Sequence, residues 1–162
     1  MARELAQIMF RSDDVFTDRF GRQLADRQEG FGLWQRFEVE RYLDYHGDKL
    51  ARRFDANSYL IIGKAMDLHD VARGRGKLSQ ALARIAASTL AIGVRSDVLY
   101  PTYQQREIVE HVGRNAPAQY YEIDSSDGHD GFLIEIDRVA AVVGEFLRSG
   151  AGNSIVGKDT SS

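Results

Sequence analysis

Apolar positions along this chain keep two different rhythms, and the change comes near residue 75. Before it, the three-to-four spacing of helices predominates. Leu5, Ile8 and Met9 share one helical face, and Asp13-Asp14 offers carboxylates to cap a following turn through Phe16 and Phe20. Gly21 and Gly30-Phe31-Gly32 mark breaks. A longer helix is predicted from about Leu33, with Trp34, Phe37, Val39, Tyr42 and Leu43 as apolar positions. His46-Gly47-Asp48 interrupts or ends it, because glycine is costly inside a helix. Asp55 is placed to cap the next helix, which carries Tyr59, Leu60, Ile62 and Met66. No regular strand pattern occurs in this half.

Later residues alternate between strand and helix signals. Residues 78–85 read as a short amphipathic helix, and 88–94 as an almost continuous apolar run. Such a run suits a strand buried on both faces of a parallel sheet. Pro101 stands at a helix first-turn position, with a helix through Val112, and 118–123 reads as a second strand. From Gly131 to Arg148 the apolar residues Phe132, Leu133, Ile136, Val139, Val143 and Phe146 form one stripe, which predicts a single helix. Strand, helix, strand, helix is the order of a parallel crossover unit. Two such strands need helices on both faces and further strands beside them, so this half reads as the edge of a larger sheet. Residues 150–162 are Gly/Ser-rich and read as a disordered tail.

Composition narrows the classes. With 162 residues, 43% hydrophobic and 28% charged, the chain suits one globular domain or part of a larger one. A net charge of -3 gives no electrostatic reason to expect nucleic acid. The absence of cysteine removes disulfides, thiolate metal sites and cysteine nucleophiles together. No apolar run approaches the roughly 20 residues of a membrane span, and the N-terminus lacks a signal-peptide core. The default expectation is a soluble cytoplasmic protein without metal or resident cofactor.

Candidate chemistry lies at the ends of the two strands, where open α/β sheets gather functional groups. Asp97 follows the first strand and His129 the second, and a carboxylate so placed can fix an imidazole tautomer and stabilise its imidazolium. Gly128 and Gly131 flank the histidine and allow a tight loop. The order acid then histidine is the second half of a nucleophile–acid–histidine triad. The nucleophile should then precede Asp97 in a G-x-S-x-G turn, yet Ser12, Ser58, Ser79, Ser88 and Ser96 all lack that context. Ser154 lies in the tail, after the histidine, and is rejected.

Three segments carry a specific likeness: Gly47-Asp48-Lys49 through Asn57-Ser58-Tyr59, Ser96-Asp97-Val98-Leu99-Tyr100-Pro101, and Gly128-His129-Asp130-Gly131-Phe132-Leu133. Together they resemble homoserine O-acetyltransferases over residues 1–148. The resemblance implies a partial α/β-hydrolase fold, with a helical lid followed by the last two parallel strands and their helices, and with the N-terminal sheet absent. It implies a lid region at 1–75, the C-terminal part of the core at 76–149 and the tail at 150–162. Asp97 would be the triad acid and His129 the base. Asp130 would receive the substrate amino group, and Arg3 would anchor the substrate carboxylate, a task that suits a planar guanidinium. Phe10 stands where the family is expected to carry a tyrosine, and Lys77 where it more often has glycine after Arg73-Gly74-Arg75-Gly76. That basic turn reads as a surface connection between lid and core, with contact to coenzyme A phosphates as the alternative.

The implied reaction moves an acetyl group from acetyl-CoA, a co-substrate, to L-homoserine in methionine biosynthesis. Without a nucleophile the chain is expected to be inactive alone, or completed by a separate N-terminal polypeptide, with homodimerisation through the lid helices. Other readings are a homoserine O-succinyltransferase, a hydrolase of the same fold that gives Arg3 and Asp130 no role, and a non-catalytic helical association module.

Overall fold

The computed structural model describes residues 1–26 and 32–149. Gly30-Phe31 and the expected tail at 150–162 lie outside the described residues. The chain divides into two compact units, Met1–His69 and Asp70–Ser162.

In the first unit, α1 (Ala2–Phe10) packs on α3 (Glu38–Arg53), with α2 (Asp13–Arg19) following α1 and α4 (Ala56–Asp67) following α3. The cap of α2 is Ser12, whose Oγ accepts from Val15 N at 3.3 Å. Asp13 and Asp14 instead occupy the first turn, where the helix dipole favours negative charge. Asp55 caps α4 as expected, accepting from Ser58 N at 2.7 Å.

Two expectations for α3 need correction. The helix starts at Glu38, not near Leu33, because Leu24 and Phe37 form an isolated antiparallel bridge that holds the preceding backbone extended. Trp34 therefore lies off the helix and is 89% exposed. Nor does His46-Gly47-Asp48 end it. The helix runs through Gly47, where a Cβ would stand 2.6 Å from Glu4 Oε1 of α1. The propensity cost of one glycine, about 1 kcal/mol, is smaller than what the packed face against α1 returns. Tyr42 of α3 also meets the rings of Phe16 and Phe20, the three lying 5.0–6.3 Å apart.

The second unit is α/β. It holds α5 (Leu78–Leu82), β1 (Thr89–Val94), α6 (Thr102–Val112), β2 (Ala118–Ile123), α7 (Gly131–Ile134) and α8 (Ile136–Ser149). The strands pair in parallel from Thr89↔Ala118 to Val94↔Ile123, joined through α6, as the alternating pattern predicts. Leu82, Val112 and Ala116 form the core between α5 and α6, with Ile85 and Ala118 against it. Val94 and Ile123 are buried at the carboxyl ends of the strands.

The single helix predicted from Gly131 to Arg148 is two helices. Glu135, at φ -83° and ψ 40°, separates them. Its N–H closes the last turn of α7 on Gly131 O, while its carbonyl accepts from Val139 N of α8. The apolar stripe survives the break because one non-helical residue leaves the spacing on either side intact, so periodicity alone cannot reveal it.

Candidate active site

β1 and β2 run side by side in the same direction, so the loops that leave them start together. Arg95 N still donates to Ile123 O at 3.0 Å, and Asp97 N turns back to Val94 O at 3.1 Å. The turn directs the Asp97 side chain toward the second loop.

Asp97 is largely buried and accepts three hydrogen bonds. Oδ1 takes the backbone N–H groups of Leu99 and Tyr100 at 2.8 and 2.9 Å. Oδ2 lies 2.9 Å from His129 Nδ1. A carboxylate can only accept, so Nδ1 carries the proton and Nε2 is left with the lone pair that acts as base. Two fixed backbone donors leave the Asp97 carboxylate little freedom to rotate away.

The histidine loop is tied down separately. Ser96 Oγ donates to Ser125 O at 2.7 Å and accepts from Gly128 N at 2.9 Å, joining the two loops beside the pair. Ser125 Oγ, in turn, lies 3.2 Å from Asp127 N and from Asp127 Oδ2. Gly128 has φ +68°, a left-handed conformation that glycine adopts without a side-chain penalty. Gly131 serves a different need. A Cβ there would stand 2.8 Å from Val94 Cγ1 and 3.4 Å from Ser125 Oγ, so α7 can reach the strand end only with glycine at this point. Gly131→Ala should therefore cost about 1–3 kcal/mol through overpacking. Chemical denaturation measures it; a loss below about 0.5 kcal/mol would show that the strand end yields more readily than its packing implies.

The His129 ring is partly exposed, between Tyr100 at 5.2 Å and Phe132 at 6.0 Å between ring centroids. It opens on a cavity of about 230 Å³ bordered also by Ile92, Asp97, Gln105 and Val139. A histidine held by a buried carboxylate at a small cavity can accept a proton from a hydroxyl brought to it and return that proton to a leaving group.

Of the other sequence-predicted residues, Asp130 closes the short 3-10 turn Gly128–Asp130, next to His129. Arg3 lies in the first unit, on α1, with its guanidinium 5.4 Å over the Phe10 ring. With the Gln7 amide oriented to suit both neighbours, its oxygen accepts from Arg3 Nε and Nη2 at 3.3 and 2.9 Å. Its nitrogen then donates to Tyr42 Oη at 2.5 Å. Gln7 is only 3% exposed. Lys77 precedes α5 as its N-cap, its N–H held by Gln80 Oε1 at 2.8 Å.

Ser96 and Gln7 escape sequence reasoning. A serine beside an aspartate and a glutamine amid a helix carry no motif, and their partners lie 32 and 35 residues away. A polar Gln7 on the helix face between Arg3 and Phe10 was the one visible hint.

No protein-family model matches the chain. It is 48% identical over 155 residues to a homoserine O-acetyltransferase of Carboxydothermus hydrogenoformans, covering 94% of this chain and 41% of that protein. Relatives of the same name from Moorella thermoacetica and Thermobifida fusca are each 46% identical over 91% of the chain. Among solved structures, a homoserine O-acetyltransferase from Bacillus anthracis superposes with a TM-score of 0.75 at 25% identity, covering 90% of this chain and 39% of that one. Esterase E22 superposes with a TM-score of 0.73 at 22% identity, which bears on the fold alone. The chain thus spans about two-fifths of the length of the curated relatives it matches. Its two parallel strands and surrounding helices make up part of an α/β-hydrolase fold. Among the described residues, no helix is long and apolar enough to cross a membrane.

Proposed function

Since this chain is a homoserine O-acetyltransferase relative over more than nine-tenths of its own length, we propose that it supplies the acid–base part of an acetyl transfer from acetyl-CoA to L-homoserine. The observation that carries this reading is the 2.9 Å contact between His129 Nδ1 and Asp97 Oδ2 at the ends of adjacent parallel strands. Matching serine and oxyanion donors would be contributed by sequence outside this chain.

The chemistry runs in two halves. His129 Nε2 takes the proton of a serine hydroxyl as its oxygen attacks the thioester carbonyl. The C–S bond breaks, the thiolate takes that proton, and an acetyl-serine remains. His129 then takes the proton of the homoserine hydroxyl, whose oxygen attacks the acetyl carbon. The serine oxygen leaves and recovers the proton, releasing O-acetylhomoserine. Asp97 holds the imidazole and stabilises the cation formed twice in this cycle. Arg3 would pair with the substrate carboxylate, held in place by Gln7, and Asp130 with its ammonium group.

No serine of the chain stands in a nucleophile turn, so the 162 residues by themselves should not turn over. Incubating the purified chain with acetyl-CoA and homoserine, while following CoA thiol release, should give the buffer rate. Turnover well above it would overturn the assignment of the nucleophile to other sequence. Homodimerisation through the lid helices and a cytoplasmic site of action belong to the same proposal. The exposed apolar residues of α4, Leu60 and Ile61 above all, fit a surface that a second polypeptide covers.

Esterase E22 shares the fold, which keeps hydrolysis as a second reading. It would retain Asp97 and His129 but give no role to Arg3 or Asp130. In a completed enzyme, substitution of Arg3 separates the two. Homoserine transfer should fall while hydrolysis of an uncharged acetyl ester should not.

A further inference from the structure

The first unit carries a concentration of positive charge that the acid–base pair does not use. His46, Lys49, Leu50 and Arg53 fall within about 100° of the circumference of α3, given the helical repeat of 3.6 residues. Together with Arg3 of α1 they border a polar pocket of about 100 Å³. Among the carboxylates of α3, Asp44 pairs with Arg36. Asp44 and Asp48 also lie on the opposite side of α3 by the same repeat. In a chain of net charge -3, such a gathering of like charges is held against its own repulsion. His46 registers this: burial first, then Arg3, Lys49, Arg19 and Arg11, hold its imidazole below the ordinary histidine range.

We propose that the pocket bordered by Arg3, His46, Lys49 and Arg53 is a binding site for a phosphoryl anion, and that the natural ligand is a phosphate ester with an extended arm. The arm is inferred from what adjoins the pocket. Arg3 and Leu50 also border a second cavity of about 390 Å³, whose walls include the apolar side chains of Phe54, Tyr59 and Leu60. A charged pocket opening beside an apolar groove fits a ligand with a phosphate at one point and a neutral chain beyond it. A phosphate ester brings up to two negative charges and no cation. The anion site stands independently of the acetyl-transfer reading, on which only the choice of coenzyme A as the phosphate ester rests.

The full chain is titrated with inorganic pyrophosphate, with coenzyme A and with pantetheine, which keeps the arm but lacks phosphate. Binding is followed by calorimetry and by the His46 imidazole signals in NMR. Pyrophosphate should bind saturably and move the His46 titration to higher pH, because an anion offsets the cations that depress it. Coenzyme A should bind at least about tenfold more tightly than either part, a gain of about 1.4 kcal/mol. Lys49→Gln combined with Arg53→Gln should weaken both by about tenfold or more and flatten their salt dependence. Both side chains are exposed, so the variant should keep its fold, which circular dichroism verifies. Arg3 stays intact, so its proposed role toward a substrate carboxylate does not enter the result. Pyrophosphate binding without coenzyme A binding supports the anion site but overturns the extended arm, leaving free phosphate as the ligand. Absence of saturable binding by both, or equal affinity in the double variant, overturns the site while leaving the acetyl-transfer reading to its own test.

Discussion

Joined in frame behind the N-terminal portion of a homoserine O-acetyltransferase relative, this chain should complete an active transferase, and Asp97→Asn should then remove most of its activity. The carboxylate now accepts from His129 Nδ1 at 2.9 Å and from two backbone N–H groups. An asparagine can keep the shape. If its oxygen stays on the backbone donors, its NH₂ faces Nδ1, which must then accept. The proton moves to Nε2, and the imidazole loses the lone pair that should receive the hydroxyl proton. By analogy with other triads, a wrong tautomer with intact geometry costs about 10,000-fold in kcat. His129→Ala should cost at least as much, and the double variant little more than the worse single one, because the two act as a unit. KM for both substrates should change far less than kcat. A loss under about tenfold, near 1.4 kcal/mol, would show that the pair is a structural hydrogen bond and not the catalytic one.

Ile123→Ala should be the most damaging substitution to stability among those considered. Ile123 ends β2, pairs with Val94 and is 1% exposed. Truncating a fully buried isoleucine typically costs about 2–5 kcal/mol, part from lost burial and part from the cavity left behind. At this position the loss is also functional, since the loop bearing His129 begins at the next residue. Urea unfolding followed by circular dichroism should show the lower midpoint, with Leu147→Ala, at 73% exposure on α8, as a control within about 0.5 kcal/mol of the parent. Equal midpoints for the two variants would mean that the strand end is not where the second unit is held together.

Local signals carried a good part of the fold. Residues 118–123 read as a strand and form one with those same bounds; 88–94 needed trimming by a single residue. Asp55 announced the start of α4 because a cap acts within three residues of itself. The order aspartate then histidine, each just after a strand, was also legible. Parallel strands joined by a helix place their carboxyl ends together, whatever else the chain does.

What the sequence by itself determined, then, was the kind of each main element and which two loops share an edge of the sheet. Periods, caps and chain order are properties of neighbours along the chain, and neighbours are visible in one dimension. Tertiary structure alone decided the rest. Gly47 stays helical because α1 packs over it, and α3 starts late because Leu24 reaches Phe37. Glu135 breaks a helix whose apolar stripe gave no warning. Ser96 ties the loops that bring His129 to Asp97, and the cations of α1 and α3 meet at one pocket. Each of these depends on a contact between distant segments, whose energy belongs to the pair and leaves no local trace.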